Sequence, residues 1–200
     1  MLPICLNNKK IKINIKIMDL TGQIIVSKPT LEDQRFYKSV IYMCAHSKEG
    51  SMGIIINKKI DFDLYPDLLE QLGIDKPLIN KKLYIRYGGP VESSRGFVLH
   101  SDDITKKESL NISKGVVLTS TAEFFEELAK GKGPENSILA LGYAGWGPGQ
   151  LELEILQNSW MTLSVNSDFL FDEEVSNKWN EAYKLMGVDP NKLSSFIGTA

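Results

Sequence analysis

Two pairs of side chains carry the residue types that catalysis or metal binding needs. Cys44 and His46 lie two residues apart in a predicted strand, and His100 and Asp102 repeat this spacing at the end of another. Side chains two positions apart in a strand share one face and lie ~7 Å apart along it. Together the four offer a thiolate, two imidazoles and a carboxylate, a set that zinc accepts if the two strands are neighbours.

The same residues allow two other chemistries. Cys44 could act as a nucleophile, and its base would be His100, because His46 lies too far away for a direct hydrogen bond. An exposed Cys44 with a lowered pKa could instead sense oxidants. A buried core cysteine and two histidines bonded to the backbone explain the pattern as well. We therefore keep an enzyme or a redox- or metal-responsive protein as the alternative function, and we predict no bound metal or cofactor.

A second candidate site combines glycines with aromatic and basic side chains. Residues 88–90 and 142–149 are glycine-rich, and each segment follows a predicted strand, where backbone N–H groups can face an anion. Neither segment matches the P-loop or the dinucleotide fingerprint. Nearby arginine and aromatic side chains suit an anionic or stacking ligand, such as a nucleotide or single-stranded nucleic acid. The residues predicted to line this groove are Gly88, Gly89, Arg95, Tyr143, Gly145, Trp146, Gly147 and Gln150.

Structural explanations for the same residues stay open. Tight turns in a branched sheet account for the glycines without any ligand. Arg95 can form an ion pair with Glu92 or with Asp33 instead of contacting a ligand. The burial and the partners of each side chain decide between these explanations.

The elements that would position these residues are strands and helices mixed along the chain. Strands are predicted over residues 22–28, 36–46, 52–57, 83–87, 96–100, 116–120, 138–141 and 160–165. Helices are predicted over residues 65–72, 122–130, 150–157 and 172–186. Residues 150–157 also alternate as a strand would, and a helix between two strands gives the better topology. The second and third strands form a hairpin around Gly50, and the mixture as a whole favours an α+β fold.

Composition narrows the class of protein. The chain has 200 residues, 42% of them hydrophobic, with a net charge of −2, which fits one domain. This charge gives no support for wholesale nucleic-acid or membrane binding. The two cysteines, Cys5 and Cys44, do not make a disulfide framework, and no apolar run approaches the ~20 residues of a membrane span. We therefore expect a cytoplasmic protein.

The N-terminal residues differ in character from the rest. Residues 9–17 alternate isoleucine with lysine or asparagine, which is compatible with an edge strand or with a poorly ordered basic extension. We favour the extension and place it at residues 1–17, followed by a single domain over residues 18–200. Met18 stands at this boundary and is an alternative start of the native protein.

Several segments together resemble the AlgH/YqgE-like family. They are Leu20-Thr21-Gly22, residues 39–46, Gly50-Ser51-Met52-Gly53, Gly88-Gly89-Pro90-Val91, residues 95–101, residues 141–151 and residues 185–195. Two positions depart from the family pattern. Lys58-Lys59 stands where a basic residue and a proline are common, and Gly198-Thr199 stands where a glycine–histidine pair is common.

The resemblance implies a bacterial protein with an α+β fold. It implies a mixed, branched sheet that closes partly into a small barrel, and we expect about four flanking helices. Some family members carry a name from transcriptional regulation, but this sequence shows no helix-turn-helix. We therefore predict a non-catalytic binding or regulatory module whose partner is a small molecule, a nucleotide or a protein, and whose oligomeric state stays open.

Overall fold

The computed structural model describes residues 19–60, 85–172 and 174–193. The proposed N-terminal extension and the helix predicted over residues 65–72 lie outside these ranges. The described strands are β1 Ile24–Ser27, β2 Val40–Ser47, β3 Gly50–Ile55, β4 Ile85–Tyr87, β5 Val91–His100, β6 Leu110–Ser113, β7 Val116–Thr119, β8 Ser137–Trp146 and β9 Trp160–Leu163. The described helices are α1 Ala122–Ala129, α2 Gln150–Leu156, α3 Ser167–Phe171, α4 Lys178–Leu185 and α5 Pro190–Leu193, with one turn of 3₁₀-helix at Gln34–Phe36.

These strands form one mixed sheet that branches at β8. The strand order is β6-β7-β5-β8-β3-β2-β1-β9, and β4 pairs with β8 beside this path. The first half of β8 pairs with β4 in parallel and with β5 antiparallel, and its second half pairs with β3 antiparallel. The long strand β8 therefore joins the two halves of the sheet. The predicted α+β class is confirmed.

The expected small barrel is wrong, because the described sheet is not closed. Its two end strands, β6 and β9, each pair with a single neighbour in the described part of the chain. The sheet nevertheless curls, so that the hydroxyl of Tyr42 in β2 lies 2.9 Å from Oγ of Ser113 in β6. A side-chain hydrogen bond, rather than a backbone ladder, therefore links β6, at one end of the sheet, to β2 in its other half.

Apolar residues cover both faces of the sheet. On the concave face, Tyr42 and Phe97 pack in one core with residues of α3 and α4. Helix α4 is fixed there by Trp179 and Tyr183, which donate hydrogen bonds of 2.9 and 3.2 Å to the carbonyl oxygen of Ser27. On the other face, α1 contributes Phe124 and Phe125 to one cluster, and α2 contributes Leu151 to another.

Several predicted boundaries were wrong. The helix expected over residues 172–186 begins only at Lys178, and a separate short helix, α3, ends before it at Asp172, which has extended backbone angles of φ −53° and ψ 131°. The strand expected over residues 138–141 continues through Trp146, so residues 142–146 are strand rather than loop. Strand β6 was missed because it has only four residues, which are largely exposed, and so short a segment does not stand out in the sequence. Helix α2 is confirmed where the sequence also allowed a strand.

Candidate functional site

The structure does not bring Cys44, His46, His100 and Asp102 together. Strands β2 and β5 are separated by β3 and β8, which places their backbones about 14 Å apart. Cys44 is 2% exposed in the concave core, whereas the ring of His100 lies 4.7 Å from Phe124 of α1 on the other face. Asp102 lies in an exposed turn. Within the described ranges, no three His, Cys, Asp or Glu side chains are grouped to hold a metal ion.

Cys44 lacks the properties of a reactive thiol. Burial raises the pKa of its thiol to about 12, and its Sγ donates a weak hydrogen bond of 3.6 Å to the carbonyl oxygen of Tyr42. A nucleophile, a zinc ligand and a redox sensor all need the thiolate. The contacts of Cys44 are therefore those of a core residue, and they give no support to the redox- or metal-responsive alternative.

A register shift in β2 changes the direction of the His46 side chain relative to that of Cys44. The register of β2 against β3 shifts between Met43 and Ala45, so the strict alternation assumed for the Cys44–His46 pair is lost. His46 Nδ1 lies 2.9 Å from Ser51 Oγ across the hairpin. Its Nε2 lies 3.7 Å from Oε1 of Glu152 in α2. His46 therefore links the β2–β3 hairpin to α2.

His100 is a core histidine with both ring nitrogens occupied. Its Nδ1 lies 2.8 Å from the carbonyl oxygen of Ser101, which can only accept, so Nδ1 carries the proton. Its Nε2 lies 2.8 Å from Thr119 Oγ1 and accepts from that hydroxyl. Burial lowers the pKa of His100, so the ring is neutral at physiological pH. This pattern matches the structural interpretation of the histidine rather than a catalytic one.

The first glycine segment lies where β4 leaves β8. A Cβ atom on Gly88 would lie 2.2 Å from the carbonyl oxygen of Gly142, and one on Gly89 would lie 2.1 Å from the carbonyl carbon of Tyr143. Gly88 N donates to Leu141 O at 2.7 Å. The two backbones touch at the branch, and the space a side chain or a ligand would need is filled. These contacts support the structural explanation for Gly88 and Gly89.

Trp146 and Gln150 belong to a hydrogen-bonded cluster centred on Glu154 of α2. The indole N–H groups of Trp146 and Trp160 donate to Glu154 Oε2 at 3.0 and 2.7 Å. Gln150 donates to Glu154 Oε1 at 2.9 Å and accepts from the backbone N–H of Gly147 at 3.0 Å. We call these four side chains, Trp146, Gln150, Glu154 and Trp160, the Glu154 clasp. Trp146 is only 7% exposed and offers no stacking surface.

Part of this clasp is visible in the spacing of its residues. Gln150 and Glu154 stand one helical turn apart, which places them on one face of α2. The partner of an indole N–H, in contrast, is set by where the ends of β8 and β9 lie relative to α2, although these two strands do not pair with each other. Glu154 was therefore missed as a key residue, although Trp146 and Gln150 had been selected.

Arg95 and Tyr143 remain at the surface and share one partner, Glu92. Arg95 Nη1 donates to Glu92 Oε2 at 3.0 Å, and the hydroxyl of Tyr143 donates to Glu92 Oε1 at 3.3 Å. The guanidinium also lies over the ring of Phe97, 5.2 Å from its centroid. Burial, and next the nearby Glu92 charge, raise the pKa of Tyr143. The expected Arg95–Glu92 ion pair is confirmed, while Asp33 pairs with Arg35.

Gly145 completes this surface. A Cβ atom on Gly145 would lie 3.2 Å from Cε2 of Tyr143, so the missing side chain leaves room for the tyrosine ring along β8. We call Glu92, Arg95, Tyr143 and Gly145 the Glu92 surface. The predicted groove is thus divided among the Glu92 surface, the Glu154 clasp with Gly147, and the branch point at Gly88 and Gly89.

The fold and these sites define a mixed α+β protein built on a branched sheet. Within its described residues it carries an ordered polar surface beside the branch, and the four residues proposed for catalysis are dispersed. The chain belongs to the AlgH-like family, whose family model matches residues 24–191. No described helix has the length and apolar character needed to cross a membrane.

Relatives and solved structures agree with this assignment. The chain is 45% identical to the UPF0301 protein SPO0296 of Ruegeria pomeroyi over 92% of its own length and 100% of that protein. It is also 45% identical to a UPF0301 protein of Nitrobacter hamburgensis, over 90% of this chain and 88% of the relative. The solution structure of the AlgH protein from Pseudomonas aeruginosa is similar, with a TM-score of 0.72, 32% identity, and coverage of 92% of this chain and 97% of that one.

A more distant structure shares the fold. Protein DIP2367 from Corynebacterium diphtheriae matches with a TM-score of 0.66 at 20% identity, over 90% of this chain and 94% of that one.

Proposed function

We propose that this chain is a non-catalytic binding or regulatory module whose contact surface is the Glu92 surface. One observation carries the proposal: a single carboxylate, that of Glu92, positions both the guanidinium of Arg95 and the hydroxyl of Tyr143. Fixing two recognition groups before a ligand arrives lowers the entropy cost of binding. The dispersal of Cys44, His46, His100 and Asp102 supports binding over catalysis.

The backbone at Glu92 supports the same proposal. Glu92 has φ 46°, in the left-handed region that residues other than glycine rarely adopt. The pairing of β5 with β8 is also interrupted between Val91 and Gly96. Strained positions of this kind cost on the order of 1 kcal/mol and are concentrated at ligand sites. In this strained backbone conformation, the carboxylate of Glu92 is directed toward Arg95 and Tyr143.

The chemistry of the surface favours a planar ligand that can form hydrogen bonds. The charges of Arg95 and Glu92 cancel, so the surface does not select strongly for charge. The Arg95 side chain is 53% exposed and the ring of Tyr143 is half-buried. Guanidinium and phenol groups both stack on nucleobases. A nucleotide or a short single strand of nucleic acid fits these features, and we infer a cytoplasmic location, where a chain with two cysteines needs no disulfide.

Thermal-shift titration tests the proposal with AMP and a short oligothymidylate as probes. We expect one of them to raise the melting temperature of the wild-type chain, since a ligand that binds the native state stabilises it. Arg95→Ala and Tyr143→Ala should abolish the shift. Arg35→Ala is the matched control, because Arg35 is an exposed arginine in an ion pair with Asp33, and its neighbour Phe36 packs on the face of the sheet opposite to Tyr143.

Two results would contradict the proposal. An unchanged shift in both Arg95→Ala and Tyr143→Ala would place the binding site elsewhere. No shift of the wild-type chain with either probe would remove nucleotides as the ligand class.

A further inference from the structure

A cleft opens at the seam where the curled sheet does not close. It has a volume of about 390 Å³ and lies between the β6–β7 turn on one side and the start of α3 on the other. Its lining residues are Tyr42, Ser113, Lys114, Gly115, Val116, Val165, Asn166, Ser167 and Leu170. Small-molecule sites in proteins typically occupy about 300–1,000 Å³. We call this cleft the seam pocket.

One direct contact crosses the bottom of the seam. The hydroxyls of Tyr42 and Ser113 lie 2.9 Å apart and hydrogen-bond to each other. The backbone on either side is close, since a Cβ atom on Gly22 would lie 3.0 Å from Ser113 Cβ. No backbone ladder joins β6 to β1 or β2 among the described strands. The two ends of the sheet are therefore near each other but weakly joined.

The two hydroxyls leave one donor for a ligand. Two hydroxyl groups carry two protons, and their mutual hydrogen bond uses only one of them. Whichever hydroxyl donates within the pair, the other keeps an O–H that can donate outward. Burial raises the pKa of Tyr42, so its phenol stays protonated. The floor of the pocket thus presents a hydrogen-bond donor in either arrangement.

Lys114 adds a positive charge at the rim. In the described part of the chain its ammonium group takes part in no ion pair or hydrogen bond, and the residue is exposed. Asp168 is the acidic residue within the chain segment that forms the opposite rim. It accepts a hydrogen bond of 3.4 Å from the Asn166 side chain and does not line the pocket. The polar side of the pocket therefore offers a cation and a neutral donor, and both favour an anionic acceptor.

The rest of the lining is apolar. Val116 and Leu170 are 3% and 1% exposed and form the wall that continues into the concave core. Val165 packs against the same core from the β9–α3 junction. An apolar wall facing a cation and a hydroxyl pair suits an amphipathic molecule better than inorganic phosphate or a sugar.

We propose that the seam pocket binds a small monocarboxylate with an apolar body. The carboxylate accepts from Lys114 and from the free hydroxyl of the Tyr42–Ser113 pair, and the apolar body lies on Val116, Val165 and Leu170. Such a ligand bridges β6 and α3 and so joins the two ends of the sheet. This site is separate from the Glu92 surface and does not depend on it.

Octanoate is the probe for this proposal, with two matched controls among the ligands. Octylammonium has the same chain with the opposite charge, and acetate has the same head group without the chain. We expect octanoate to raise the melting temperature of the wild-type chain. Octylammonium and acetate should leave the melting temperature unchanged at the same concentrations.

Three variants examine the parts of the pocket separately by calorimetric titration. Lys114→Met and the double variant Tyr42→Phe with Ser113→Ala should each weaken octanoate binding roughly tenfold, because each removes one hydrogen bond to the carboxylate. Val165→Trp should abolish binding by filling the pocket. Lys132→Met, at an exposed lysine outside the pocket lining, and Arg95→Ala should bind octanoate as the wild-type chain does.

The proposal is overturned if octylammonium stabilises the protein as octanoate does, or if the Val165→Trp chain still binds octanoate. Equal affinity in Lys114→Met and wild type would also overturn it. The Lys114 and Val165 variants alter a turn residue and a partly exposed residue, so they test the proposal even if the chain with Tyr42→Phe and Ser113→Ala folds poorly. A negative result with octanoate would not contradict the proposal for the Glu92 surface, because the AMP and oligothymidylate titrations test other residues.

Discussion

Glu154 Oε2 lies 2.7 Å from the indole Nε1 of Trp160, which joins α2 to the first residue of β9. The same oxygen accepts from Trp146, the last residue of β8, at 3.0 Å. One carboxylate therefore ties a helix to the ends of two strands that are far apart in the sheet order. The rings of the two tryptophans contact each other edge-on, with centroids 5.9 Å apart.

Replacing Glu154 tests this clasp. Glu154→Ala leaves two buried indole N–H groups without an acceptor, and we expect a loss of about 2–4 kcal/mol in the free energy of unfolding. Urea denaturation followed by tryptophan fluorescence measures it. Glu108→Ala, at an exposed glutamate in a turn, is the control and should change stability by less than about 0.5 kcal/mol. Equal stability of the two variants would show that the clasp contributes nothing.

The difference between predicted and observed features has a physical basis. The hairpin of β2 and β3 followed from a local pattern, because the alternation on either side of a turn is encoded within a few residues. Helix α2 was preferred to a strand only on the ground of topology, because its local pattern allowed both. The branch at β8 depends on contacts between residues about fifty positions apart, such as Gly88 and Gly142, and no local pattern reports them. Closure of the sheet into a barrel also depends on residues far apart in the sequence. A side-chain hydrogen bond between Tyr42 and Ser113 stands where a closed barrel would need backbone pairing.

The residues of each candidate site lie apart in the structure because their positions, too, depend on contacts that no local pattern reports. Cys44 and His46 share a face only if the strand is regular, and the register shift at Cys44 breaks that condition. Trp146 was selected for its ring, but its burial depends on how α2 and Glu154 close over it. Arg95 and Tyr143 lie at one surface, while the residue that organises them, Glu92, was considered only as an ion-pair partner.

His100 should give the protein a pH-dependent stability. Burial lowers its pKa in the folded state, whereas in the unfolded chain the pKa is about 6.5. Below about pH 6.5 the unfolded chain therefore binds more protons, so the free energy of unfolding falls as the pH drops. We expect this loss between about pH 7 and pH 5, and His100→Gln should remove it.

The carboxyl groups whose pKa values are lowered titrate outside that window. The pKa values of Asp19, Asp33 and Asp103 are lowered by hydrogen bonds, so their stabilising effect is lost only below about pH 4. Urea denaturation of wild type and His100→Gln at several pH values makes the comparison. The slope of the free energy of unfolding against pH is compared between pH 7 and pH 5, where one group contributes at most about one proton. If this slope is the same in both chains, His100 is not its cause.

Cys44 should be unreactive in the native protein. Its thiol is buried and its pKa is raised to about 12, so almost no thiolate exists at neutral pH. A Cys5→Ser chain leaves Cys44 as the single thiol to be labelled. We expect Ellman's reagent to label it only as fast as the protein unfolds, and readily in concentrated urea. Rapid labelling without denaturant would restore the redox-sensing hypothesis.

Gly88 should tolerate no side chain at all. A Cβ atom there would lie 2.2 Å from Gly142 O, so Gly88→Ala forces the branch apart, at a cost of about 3 kcal/mol. Gly147→Ala is the matched control, because its Cβ would meet only Gln150 Oε1, at 3.8 Å. Thermal denaturation should show a large loss for the first variant and almost none for the second. Similar melting temperatures would mean that the backbones at the branch can separate freely.

Glu92 offers a way to separate backbone strain from hydrogen bonding. Both Glu92→Ala and Glu92→Gly remove the carboxylate that holds Arg95 and Tyr143, but only glycine adopts φ 46° without strain. We expect Glu92→Gly to be more stable than Glu92→Ala by about 1 kcal/mol in urea denaturation. Both variants should lose the thermal shift that AMP or oligothymidylate gives, because Arg95 and Tyr143 are no longer fixed. If Glu92→Gly keeps that shift, the carboxylate is not what prepares the surface, and Arg95 and Tyr143 bind independently of it.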